Sequence, residues 1–110
     1  MKPQHQNLAS GKWQQLSFSQ QMANIGSEVE RSIIWQNKNN LSYSRQAGQR
    51  FLELLFLTIA DPKNKKRLKE LTRLREVLLD YFFGQNQYAS SDRLWQNYFY
   101  PFTYFSRINT

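Results

Sequence analysis

A chain of 110 residues has room for one hydrophobic core and little more. The absence of cysteine excludes disulfides and thiolate metal sites, and no apolar run approaches the roughly 18 to 20 residues needed to cross a bilayer. Fifteen Lys and Arg against eight Asp and Glu leave a formal charge of +7, which favours an acidic partner such as nucleic acid, a phosphorylated ligand or an acidic protein face.

Residues 1 to 16 are rich in Gln and show no helical period, so they are expected to form a mobile tail ahead of a single domain over 17–110, with Trp13 and Leu16 able to dock on it. Met1 to Gln6 lack the apolar run of a signal peptide, and the expected location is the cytoplasm. Ser17 and Gln20 fit a capping box that opens a first helix reaching about Trp35. Met22, Ile25, Val29 and Ile33 recur on its packing face, and Gly26 lies among them as a point where a neighbouring helix can come close.

The run Asn37-Lys38-Asn39-Asn40 predicts a turn, because short amide side chains compete with helical hydrogen bonds. A second helix over 41–60 follows, with a broad apolar arc that includes Ala47, Gly48, Phe51, Leu54, Leu55 and Thr58. Asp61-Pro62 reads as N-cap and first helical residue of a third helix, 62–83, closed by Gly84 in a left-handed conformation. Ser90 or Ser91 caps a last helix that Pro101 should kink or break. No strand pattern appears. The fold class is therefore all-α, an up-and-down bundle of about four helices.

Three runs resemble an uncharacterised family of small bacterial helical proteins: Ala23 to Arg31, Leu52-Glu53-Leu54-Leu55 with Thr58 and Asp61, and Arg67 to Leu71 with Arg73 to Glu76. That resemblance carries no activity. The number and order of helices is also similar to HEPN-type four-helix domains, which implies a nucleotidyltransferase partner and, in some members, RNA cleavage. The cleaving members place an Arg four to six residues before a His, whereas Arg93 is followed by Tyr98, Phe99 and Tyr100, with no His. A phenol titrating near 10 is a poor substitute for an imidazole near 6.5.

His5 is the sole histidine, so imidazole-based metal sites and Ser/His nucleophiles lack their parts, and no metal or cofactor is expected. Glu28, Glu53, Glu76 and Asp80 read as surface charges and ion-pair partners, such as Glu28 with Arg31, rather than an acid/base pair. Three clusters stand out. The first is Lys63, Lys65, Lys66, Arg67, Lys69, Arg73 and Arg75, seven of the fifteen basic residues, gathered where cations oppose the helix dipole. The second is the aromatic set Trp95, Tyr98, Phe99, Tyr100 and Phe102, which points all round the last helix; core packing accounts for half of it, and the rest suggest a dimer seam ahead of a stacking platform for unpaired bases. The third is Arg75, which falls on the apolar stripe of the third helix and is expected to be partly buried beside Glu53 or Glu28. Two functions follow as expectations. One is a non-enzymatic binding module whose basic helix engages nucleic acid or an acidic protein; the other is a protein that self-associates through its aromatic helix.

Overall fold

The computed structural model describes residues 11–108. Four helices account for most of them: α1 (Phe18–Asn37), α2 (Leu41–Ala60), α3 (Leu68–Phe83) and α4 (Asp92–Ile108). Two short 3-10 segments, Trp13–Gln15 and Pro62–Arg67, precede α1 and α3. α1 packs against α2 on one side and α4 on the other, while α2 packs against α3, which gives an all-α bundle.

The starts of α1, α2 and α4 are where side-chain chemistry puts them. Ser17 accepts from the Gln20 N–H, and the Gln20 side chain accepts from the Ser17 N–H, completing a capping box. Asn40 caps α2 through the Tyr43 N–H, and Ser91 Oγ accepts from the Leu94 N–H at the start of α4. The expected third helix is divided: its first six residues are a 3-10 segment capped by Asp61, and the α-helix begins at Leu68. Gly84 is not left-handed, with φ −113°. The stop is made instead by Asp80, whose carbonyl accepts from the Gly84 and Asn86 N–H groups and whose carboxylate accepts from those of Gln87 and Tyr88. α4 runs on through Pro101, and the carbonyl of Asn97 that loses its bond belongs to an exposed residue that water can serve.

The expected tail is corrected in its second half. Trp13 is fully buried in the core, with Leu16 packed against it, so the folded body begins by Trp13; the first ten residues, His5 among them, lie outside the described residues. The indole N–H of Trp13 donates to Thr58 Oγ1 (3.0 Å), and Thr58 donates in turn to the Leu54 carbonyl (2.8 Å). Gln21 donates to the Trp13 carbonyl (3.0 Å) and to Asp61 Oδ2 (2.8 Å). Asn64 donates to Gln21 Oε1 and to the Thr58 carbonyl, each at 2.9 Å. Lys63 Nζ binds the Asp61 carboxylate and the Gln14 carbonyl. This buried junction ties the N-terminal segment, α1, the end of α2 and the 3-10 segment into one unit.

Close helix contacts rest on small residues. Ser32 and Ser44 each donate to the other's carbonyl at 2.9 Å, joining α1 to α2. A Cβ on Gly26 would lie 2.8 Å from Phe99 Cβ and Cγ, atoms near the α4 backbone that have no freedom to retreat, as the expected role of Gly26 requires. A Cβ on Gly48 would meet Phe83 Cζ at 2.6 Å, but that atom is the far end of an exposed side chain.

Two predictions follow from these contacts. Gly26→Ala should cost about 1–3 kcal/mol by overpacking against Phe99, whereas Gly48→Ala should be neutral or stabilising by up to about 1 kcal/mol because Phe83 can rotate and Ala is the better helix former; denaturant unfolding of the two variants measures the contrast. Burial by itself would raise the Asp61 pKa, but hydrogen bonds from Lys63 and Gln21 outweigh it and hold the carboxyl below its ordinary 3.8. A depressed carboxyl stabilises the fold above its unfolded value, and that stability is lost as pH falls through the folded value. The stability difference between wild type and Asp61→Asn should thus be constant above about pH 5 and shrink below the ordinary 3.8. A difference that survives full protonation would contradict this.

Candidate functional site

The structure divides the seven clustered cations into two groups. Three are engaged by contacts within the chain: Lys63 at the buried junction, Arg67 with its guanidinium 4.1 Å from the ring centre of Phe18, and Arg73 on the surface with its guanidinium 4.5 Å from the ring centre of Tyr88 and 3.8 Å from the Glu76 carboxylate. Lys65, Lys66, Lys69 and Arg75 are exposed, and their charges have no partner among the described residues. A shallow groove of about 650 Å³ runs between Lys66, Arg67, Lys69, Glu70 and Arg73. Lys66, Lys69 and Arg73 are three and four residues apart and so fall on one side of the chain, with Arg67 held beside them by its stacking on Phe18.

Arg75 is corrected from its expected burial. The buried arc of α3 runs through Leu71, Leu74 and Leu78 and continues to the half-buried Val77 and Tyr81, which face α4; Arg75 lies on the opposite flank. A long Arg stem at the edge of a stripe also carries its head into water readily. The buried carboxylate it was expected to meet has other partners. Glu28 Oε2 accepts from Arg50 Nε of α2 at 2.9 Å, and Oε1 accepts from Arg31 at 3.0 Å. Glu28 was thus legible as an ion-pair member, and Arg31 as its neighbour, but Arg50 gave no signal beyond its place on the polar stripe. Glu53 is half-buried and engaged within the protein. Glu76 accepts from the Tyr88 hydroxyl at 2.7 Å, which pushes the phenol's pKa up.

The aromatic set is corrected as well. Trp95 and Phe99 are 3% and 4% exposed, Tyr98 and Phe102 pack half-buried against the core, and of the five only Tyr100, at 66%, faces outward. The bundle absorbs so many rings because α4 touches two neighbours: Phe99 fills the space that Gly26 leaves on α1, while Trp95 and Tyr98 turn toward α3. The outward face of α4 is made by Tyr100 with Tyr104 and Ile108, the latter two 55% and 60% exposed, and the rings of Tyr100 and Tyr104 stack with centres 6.3 Å apart.

α3 and α4 are bridged by their tyrosines. The Tyr81 hydroxyl donates to Asp92 at 2.5 Å, and burial together with that carboxylate pushes its pKa up to about 12. The Tyr98 hydroxyl donates to Glu70 at 3.2 Å, and burial with the Glu70 charge pushes it up too, so that it stays protonated. Between the two helices lies a slot of about 250 Å³ walled by Leu74, Val77, Leu94, Trp95 and Tyr98, with Glu70 and Arg73 on its rim. The rim residues are also edges of the basic groove, so slot and groove share a border. On its other side Trp95 borders a groove of about 480 Å³ between α1 and α4, which includes Glu30, Arg31 and Gln96.

Trp95 carries an anomaly. Its indole Nε1 is buried and, among the described residues, is the single buried side-chain polar atom without a hydrogen-bond partner. An indole N–H can only donate, and leaving such a group unmatched costs about 1–3 kcal/mol. No sequence signal marks it, since satisfaction of a donor depends on the tertiary neighbours. Among the described residues no group of three or more His, Asp or Glu side chains is placed to hold a metal ion, and no helix is long and apolar enough to cross a membrane. Comparison with family models, with curated proteins and with solved structures finds no match to this chain.

Proposed function

We propose that the protein is a binding module whose basic surface, at the start of α3, engages a polyanion, with nucleic acid as the class that the distribution of charge favours. The reading is carried by one observation: Lys65, Lys66, Lys69 and Arg75 stand exposed without partners while the neighbouring Lys63, Arg67 and Arg73 are fixed by contacts within the fold. Unpaired cations on a rigid element suit the point charges of phosphates, and the release of counterions from the polyanion supplies the affinity. The net charge of +7 adds long-range attraction. An acidic protein face, including the nucleotidyltransferase partner that the HEPN resemblance implies, is the competing form of the same chemistry.

A second reading, self-association, is favoured by the stripe of Tyr100, Tyr104 and Ile108. They are four residues apart on one face of α4, and each is more than half exposed. Tyr suits a contact surface because its hydroxyl tolerates water at the rim, and a symmetric dimer is the commonest way to cover a single self-complementary patch.

Replacing Lys65, Lys66 and Lys69 together with Gln should leave thermal stability unchanged within about 0.5 kcal/mol and lower the salt slope of nucleic-acid binding by about 2–3. Binding isotherms at several salt concentrations check this. Equal binding by wild type and variant contradicts the reading, and binding to polyglutamate but not to nucleic acid assigns the surface to a protein partner. Light scattering on wild type and on Tyr104→Glu tests the second reading: a dimer lost in the variant supports it, and a monomeric wild type removes it.

A further inference from the structure

The basic groove does not end at its charges. At Glu70 and Arg73 it opens into the slot between α3 and α4, whose walls are almost wholly apolar. A purely anionic partner would use the groove and leave the slot empty. Trp95 supplies one aromatic wall of the slot. A cationic edge and an aromatic and aliphatic recess beside it together describe a ligand with a phosphate backbone and a flat apolar ring. A strand with an unpaired nucleobase has both.

Resting on the polyanion reading above, we infer that the ligand is single-stranded nucleic acid, bound with its phosphates along Lys65, Lys66 and Lys69 and with one unpaired base inserted between Leu94 and Val77 onto Trp95. The flat ring supplies stacking, which tolerates any base. Glu70 helps to sort the two parts of the nucleotide. Its carboxylate accepts from Tyr98 and can also accept from an N–H on the base edge, while its charge repels a phosphate from the mouth of the slot. A duplex cannot enter, because its bases are already paired and stacked.

The test compares three probes by fluorescence anisotropy at one salt concentration: an oligothymidylate of about a dozen nucleotides, an abasic strand with the same number of phosphates, and the corresponding duplex. The base-bearing strand should bind about 5- to 100-fold more tightly than the abasic one, with the duplex resembling the abasic strand per phosphate. Val77→Phe, which plugs the slot, and Trp95→Phe, which shrinks the stacking wall while keeping a ring in the core, should both reduce that ratio toward one and leave abasic affinity unchanged. Leu94→Ala removes a wall at an exposed position and should do so in part, which keeps the test valid if Val77→Phe unfolds the chain. Equal affinity of wild type for the base-bearing and abasic strands overturns the inference while the polyanion reading stands. A ratio that survives both slot variants also overturns it. Failure of all three probes to bind overturns both.

Discussion

Removing an amide, a carboxylate, a hydroxyl and an indole N–H from water is tolerable only if they bond to one another, and at the foot of this bundle they do. Gln21, Thr58, Asp61 and Asn64 are buried together, and each is matched: the Gln21 amide on Asp61, the Asn64 amide on Gln21 and on the Thr58 carbonyl, the Trp13 indole on Thr58. Lys63 closes the set by neutralising Asp61. Each bond contributes only about 0.5–1.5 kcal/mol net, but a single missing partner would strand a dry donor or acceptor at about 1–3 kcal/mol. The arrangement is therefore all-or-nothing, and it specifies one geometry for four separate stretches of chain.

That geometry sets the charged surface. Because Asp61 caps the 3-10 segment and Lys63 turns inward to meet it, the direction in which Lys65, Lys66 and Lys69 leave the chain is determined by the fold itself. Arg67 is held by Phe18, which in turn meets Phe102 of α4 edge-on at 5.8 Å. The basic groove thus has a fixed floor, and a rigid cationic surface loses less entropy on binding than a flexible one. The slot depends on the same frame, since α4 is positioned by Phe99 seated on Gly26 and by the tyrosines reaching α3.

Much of the fold was legible because its signals are local. Ser17 with Gln20, Asn40 and Ser91 each act on N–H groups within three residues and open α1, α2 and α4, while Asp61-Pro62 opens the 3-10 segment that precedes α3. What was not legible depends on neighbours distant in sequence. Trp13 looks like part of a polar tail until Thr58, 45 residues on, provides its acceptor. Arg75 sits beside a stripe of leucines, but which flank of the stripe is covered was decided by where α4 lies. Trp95 and Phe99 were read as part of a dimer seam because a lone helix exposes half its circumference, whereas α4 meets α1 through Phe99 and α3 through its tyrosines and Trp95. The basic cluster was visible as composition; its division into three engaged and four free cations was not, because the engaged ones bind Asp61, Phe18 and Tyr88 through contacts no periodicity encodes.

The claim that this junction is closed and holds the basic segment as part of the cooperative core is tested most directly by native-state hydrogen exchange. The indole N–H of Trp13 and the backbone N–H groups of Lys63 and Asn64, bonded to Thr58 and Asp61, should exchange only through global unfolding, with the same opening free energy as the amides around Leu55. Exchange of these three protons at the rate of an unstructured peptide, while the Leu55 amides stay protected, would contradict it.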